Sequence, residues 1–274
     1  MSEQKREFSA NVQAVLEDFL AIAHRFAEGR GKYAISVGGS QGKGLSDQNS
    51  DVDFRLFIER DLVSPEENPQ LWQDYYDAME YWRQRGINVD GIWTRRIDTM
   101  DALLDRWLAG ELATIDMIWT IWGYHLLPDL YHQAVIEDPF GVIAGWKERL
   151  RVYPQPLKQA ILKKHLESLR YWRGDYHYRN KVQRGDVVFT AGLTSRLVHD
   201  MIQVLFALNE TYYVGDGQNL DFCRKFALAP AGFADKMQQI LYPEATENRL
   251  QVQYAALLAL IDEVVALADQ NARQ

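Results

Sequence analysis

One cysteine, Cys223, is all the chain contains, which rules out an intramolecular disulfide and any zinc site built from several thiolates. No uninterrupted apolar run approaches the roughly 20 residues that a membrane-spanning helix needs. The mixed-charge start, Ser2-Glu3-Gln4-Lys5-Arg6-Glu7, has no apolar segment behind it and does not read as a signal peptide. Basic residues are in deficit: 30 Lys and Arg against 38 Asp and Glu leave a formal charge of −8. That argues against a nucleic-acid partner and suits a neutral or cationic small substrate. Internal repeats and low-complexity tracts are also missing. What is there is an ordinary globular composition, 47% hydrophobic over 274 residues, enough for one large domain or two modest ones. The expectation is a cytoplasmic protein with no membrane partner.

Periodicity divides the chain. Residues 9–28 repeat apolar side chains at helical spacing behind Ser9 as N-cap, with Gly29 and Gly31 as stops. Tyr33–Val37 then reads as a strand closed by Gly38-Gly39, Ser40–Ser50 as a polar loop, and Asp51–Ile58 as a strand paired with the first. Asn68 and Pro69 open a helix that Gly86 ends, and Ile87–Trp93 reads as a third strand. Helices follow at Thr99–Leu108 and Glu111–Trp122, with a short fourth strand near Tyr124–Leu127. Beyond Pro156 the pattern is helical throughout, at about 157–173, 187–209, 230–241 and 246–269. This predicts an α+β fold: a small mixed or antiparallel sheet with helices over 1–150, then an all-helical bundle over 151–274.

The chemistry concentrates between Gly38 and Asp53. Asp51 and Asp53, at i and i+2 on a strand, face the same side. Like charges so close repel, and neither has an obvious cationic neighbour on that face. A bound divalent cation is the usual remedy, and hard carboxylate oxygens select magnesium or manganese. Gly38, Gly39 and Ser40 end the preceding strand, where glycine lets a phosphate approach the backbone and serine offers an N–H and a hydroxyl.

A strand, a Gly-Ser turn, a spacer and Asp-x-Asp on the next strand resemble the polymerase-β-like nucleotidyltransferase superfamily. Gly39, Ser40, Asp51 and Asp53 carry the resemblance, which spans about residues 33–93, with Asp90 in Val89-Asp90-Gly91-Ile92 as the third carboxylate. The helical second half is similar to small bacterial members that modify aminoglycosides or lincosamides. In those members the segment resembling Leu208–Asp216 leads to a lysine; here Gly217-Gln218 stands instead, so no phosphate-binding lysine is carried over. The resemblance implies a two-metal transfer of a nucleoside monophosphate from ATP or another triphosphate to a small-molecule hydroxyl. Asp51, Asp53 and Asp90 would hold magnesium or manganese, with Asp90 also the general base. Gly38, Gly39 and Ser40 would hold phosphates, and Lys43, Arg55 and Arg184 are further candidates. The helical domain would wall the acceptor side. Rival readings are a protein AMP-transferase of the toxin-neutralising type and a non-catalytic nucleotide- or partner-binding module.

Other features take blander readings. Gly42-Lys43 is no P-loop, because Val37 stands where the motif needs glycine and Gly44 where it needs Ser or Thr. His165, His177 and His199 lack zinc spacing and are expected to be solvated or capping. Trp72, Tyr75, Tyr76, Tyr81 and Trp82 read as a core-facing helix. Arg170, Arg173, Arg179, Lys181 and Arg184 read as a solvated helix end, or alternatively as a face toward the triphosphate. Asp98 and Asp101 compete with Asp90 for the third carboxylate.

Overall fold

The computed structural model describes residues 8–111, 126–215 and 218–273. They fall into two compact units: one runs up to Asp105 and resumes at Leu126–Val152, and the other takes Arg106 onward to residue 111 and everything described from Tyr153.

The first unit is built on four strands, β1 (Tyr33–Val37), β2 (Val52–Ile58), β3 (Val89–Arg96) and β4 (Ala134–Glu137), in the order β3-β2-β1-β4. β1 runs antiparallel to both β2 and β4, whereas β2 and β3 are parallel. A parallel neighbour needs a crossover, and α3 (Pro69–Arg83) supplies it; Asn68 Oδ1 accepts from the Leu71 N–H at 3.1 Å and Pro69 takes the first helical position. Strand alternation sets the two faces. Ile35, Val37, Val52, Phe54 and Leu56 join one core with α1 (Ala10–Ala27), where Phe19 stacks on Phe54 at 5.3 Å. Each such fully buried side chain contributes about 1.5–3 kcal/mol. Ser36, Asp53, Arg55 and Phe57 take the opposite face. Helices α5 (Leu126–His132) and α6 (Val142–Leu150) pack there, with Phe57 edge-on to Trp146 at 4.8 Å.

Several expectations are corrected here. The loop from Ser40 begins instead with a helical turn, α2 (Gly39–Lys43), closed by Gly44 in the left-handed region. The third strand starts two residues later than expected and reaches Arg96, running directly into α4 (Ile97–Leu108). Leu126 and Leu127, placed in a fourth strand, open α5, where Pro128 suits a first helical turn. The fourth strand lies at Ala134–Glu137, just before Asp138-Pro139. Asp138 turns the chain into α6 by accepting from the N–H groups of Val142 and Ala144 at 2.7 and 2.9 Å. The helix expected over Glu111–Trp122 lies outside the described residues beyond 111. Of the aromatic cluster, Tyr75 is buried, but Tyr76 and Tyr81 face outward.

The second unit holds α7 (Gln155–Gly174), α8 (Tyr176–Gln183), α9 (Val187–Leu208), α10 (Asn219–Cys223), α11 (Phe233–Leu241) and α12 (Arg249–Asn271), with no strand among its described residues. α9 is buried on every side from Asp200 to Leu208, where Met201, Ile202 and Val204 to Leu208 are apolar. α8, absent from the sequence reading, is separated from α7 by Asp175, whose carboxylate accepts from the Tyr178 N–H. By length and composition α12 could cross a membrane, although Asp262 and Glu263 interrupt its apolar run. In this structure it packs Leu257, Leu260, Ile261 and Val264 into the helical core, while Asp262 and Glu263 pair with Arg173 and Lys236. His165 is not solvated. It is buried between α7 and α9, its Nδ1 2.6 Å from Asp200 Oδ1, and Ser168 Oγ donates to the other oxygen of Asp200 at 2.7 Å. Facing apolar helices bury these groups together, so they satisfy one another. Most of the basic stretch is likewise paired, Arg170 with Asp269, Arg173 with Asp262 and Lys181 with Asp186.

Candidate metal centre

Three carboxylates from two strand ends converge in the first unit. Asp51 precedes β2, Asp53 is its second residue and Asp90 is the second residue of β3; one oxygen from each lies within 4.8 Å of the others. Asp90 reaches this point through an irregularity in the ladder. Val52 pairs with Val89 and Phe54 with Ile92, so Asp90 and Gly91 together oppose Asp53. Gly91 has φ +87°, and a Cβ there would lie 2.2 Å from the Tyr75 hydroxyl, which itself accepts from the Ile92 N–H at 3.0 Å. Tyr75 on α3 thus pins the bulge that aims Asp90. Asp98 and Asp101 are engaged elsewhere, with Arg96 and with Trp146 and Arg149.

The Gly-Gly-Ser turn lies against the same carboxylates. Gly39 has φ +55°, and a Cβ on it would sit 1.9 Å from Asp53 Oδ2; one on Gly38 would meet Asp129 Oδ1 at 2.7 Å and Arg55 Nε at 2.9 Å. Both glycines are therefore required by packing, independently of any ligand. Ser40 Oγ is buried with no hydrogen-bond partner among the described residues. An orphaned buried hydroxyl costs free energy unless something accepts from it. Gln41 secures the far side of the turn by donating to the Asp51 carbonyl at 3.4 Å.

The expectation that no cation flanks the pair is corrected by Arg55, two residues further along the same face. Its Nη1 lies 3.5 Å from Asp53 Oδ1. Arg55 is nevertheless committed first to Asp129, a residue sequence reasoning missed. Nε donates to Asp129 Oδ2 at 3.0 Å and Nη2 to Oδ1 at 3.4 Å, with both residues buried. It is part of the floor of the site and not an exposed phosphate ligand. Ser36 Oγ donates to Gln133 Oε1 on the same face. The only signal for Asp129 was a lone acid in Leu126-Leu127-Pro128-Asp129-Leu130. Lys43 ends α2, half-buried. Arg184 is exposed at the C-cap of α8 and belongs to the second unit.

Burial raises the Asp53 pKa above the ordinary 3.8; Arg55 opposes the rise, and Asp51, Asp90 and Asp129 add to it. The folded state therefore favours the protonated acid. That contribution to stability is fully present below 3.8 and is lost as pH rises through the elevated folded value. Cation binding runs the other way, since the ligand must be ionised. Manganese affinity is expected to climb with pH through that elevated value and then level off. Titrations from acid to neutral pH check this, and an affinity already flat from near 3.8 upward contradicts it.

The three converging carboxylates, Asp51, Asp53 and Asp90, form a donor set of hard oxygens that could hold magnesium or manganese. A family described as "Domain of unknown function (DUF4037)" matches residues 119–216, which include Asp129 and Arg184 but not the three converging carboxylates. Among solved structures the chain is similar to a nucleotidyltransferase-like protein from Exiguobacterium sibiricum 255-15, at 14% identity and a TM-score of 0.48, over 93% of this chain and 77% of that one. No curated protein matches the chain.

Proposed function

We propose that this chain is a cytoplasmic, magnesium- or manganese-dependent nucleotidyltransferase that moves a nucleoside monophosphate, AMP from ATP in the simplest case, to a hydroxyl of a small molecule. One observation carries the reading: Asp51, Asp53 and Asp90 meet within 4.8 Å beside a glycine turn whose buried Ser40 hydroxyl lacks a partner. The Gly-Ser and Asp-x-Asp motif supports it from the sequence side. In this reading residues 1–150 form the catalytic domain and 151–274 the helical domain.

Divalent cations held by Asp51, Asp53 and Asp90 would neutralise charge on the triphosphate and make the acceptor hydroxyl easier to deprotonate. Ser40 Oγ donates to a phosphate oxygen, and Gly38 and Gly39 leave room for that oxygen to approach. Asp90, exposed on the β3 bulge, takes the acceptor proton. The acceptor oxygen then bonds to the α-phosphorus as the bond to the β-phosphate bridging oxygen breaks and pyrophosphate leaves. The net charge of −8 suits a neutral or cationic acceptor, so amino sugars of the aminoglycoside class, then lincosamides, head the acceptors to screen.

Calorimetric titration with a non-hydrolysable ATP analogue, with and without magnesium, tests the site. Magnesium-dependent binding by the wild type and its loss in Asp51→Ala/Asp53→Ala are expected. A well-folded wild type that binds no triphosphate under either condition sinks the proposal.

A further inference from the structure

The buried ion pair beneath the carboxylates is more elaborate than packing requires. Asp129 on α5 holds three donors at once: Arg55 Nε and Nη2, and the Gly39 N–H, which donates to Oδ1 at 3.3 Å. It is 2% exposed and Arg55 6%. The remaining guanidinium nitrogen, Nη1, donates to the Phe54 carbonyl at 3.3 Å and stands 3.5 Å from Asp53. One carboxylate thus ties the glycine turn, the cation behind β2 and, through it, Asp53. The geometry also sets a competition. Arg55 lies between Asp129 and Asp53, and it engages Asp129 with two nitrogens and Asp53 only loosely with the third. A guanidinium deprived of its buried counter-ion is driven to the next carboxylate, because an unpaired charge in that environment is strongly disfavoured.

We infer that Asp129 is a positioning residue for the metal centre: it occupies Arg55, so that the Asp53 oxygens stay open to a divalent cation, and it anchors the Gly38-Gly39 turn beside it. The inference rests on the carboxylate site proposed above. Removing the Asp129 charge releases Arg55 to pair fully with Asp53, and the arginine then competes with the incoming cation. Removing the guanidinium as well ends the competition. Asn at 129 still accepts from the Gly39 N–H, so the double change isolates the charge from the turn.

The test uses Mn2+ alone, following free ion by electron paramagnetic resonance, with thermal unfolding on every variant. Asp129→Asn is expected to weaken Mn2+ binding about 10–100-fold, the range typical of groups that support metal ligands from behind. Arg55→Met/Asp129→Asn should return affinity to within about 3-fold of wild type, a coupling that a double-mutant cycle reads directly. Arg55→Lys keeps the charge but cannot maintain the forked contact, and should lose about 10-fold in a folded protein; this variant carries the test if Asp129→Asn does not fold. Folded Asp129→Asn or Arg55→Lys with wild-type affinity overturns the inference, as does a double variant that binds no better than Asp129→Asn. Wild type that binds no Mn2+, or binds it equally after Asp51→Ala/Asp53→Ala, overturns the carboxylate site and this inference with it.

Discussion

Asp53→Asn is expected to abolish cation-dependent activity while making the metal-free protein more stable. Asp53 is the most buried of the three converging carboxylates; it is wedged against Gly39 and shares Arg55 with Asp129. Burial is the leading cause of its raised pKa, so at neutral pH the ionised form strains the fold. Asparagine keeps the shape and removes the charge. In chelator-treated protein the melting temperature should rise by a few degrees, the shift that about 1 kcal/mol gives in a protein of this size. Cation affinity and turnover should fall at least about 100-fold, beyond the usual cost of losing a supporting group. Opposite signs for stability and function characterise a functional residue. A lower melting temperature together with intact cation binding would make Asp53 a structural residue and end its candidacy as a ligand.

Gly39→Ala should be nearly as damaging by a different route. At φ +55° an alanine costs about 1–2 kcal/mol through left-handed backbone alone. Its methyl would also occupy the position of Asp53 Oδ2, 1.9 Å from the built Cβ. The carboxylate must swing aside, so the loss in stability should exceed ~2 kcal/mol, with cation affinity collapsing alongside. Gly29→Ala is the matched control. It has φ +68° but nothing within 4 Å of the added carbon, so it should show the backbone cost and leave cation binding untouched. Equal behaviour of the two variants in both measurements would remove the steric coupling between the turn and Asp53.

Much of the first unit could be read from local pattern. The helix caps at Ser9 and Asn68, strands β1 and β2, and the helical second half all announce themselves through periodicity and capping chemistry, which act over a few residues. The pairing of β1 with β2 followed from their adjacency. Where the reading failed, the deciding interaction was distant. Leu126-Leu127 looks extended until α5 is placed against the sheet, and β4 is too short and too mixed, Ala134-Val135-Ile136-Glu137, to stand out before β1 pairs with it. His165 gives no local sign that α7 and α9 bury it against Asp200.

The candidate site divides in the same way. The sequence by itself determined which residue types are present at a spacing that carries chemistry: a Gly-Gly-Ser turn and two carboxylates two residues apart, whose side chains a strand must direct to one face. It could nominate Asp90 but not choose it over Asp98 or Asp101, because that choice depends on a bulge opposite Asp53 and on a tyrosine hydroxyl from α3. Only the tertiary structure decided that Arg55 is held by Asp129, 74 residues away, and that the glycines are demanded by the carboxylates they touch. Spacing along a strand is set by covalent geometry and survives in sequence; charge balance in a buried site is set by which helix packs over the sheet, and that is a property of the fold.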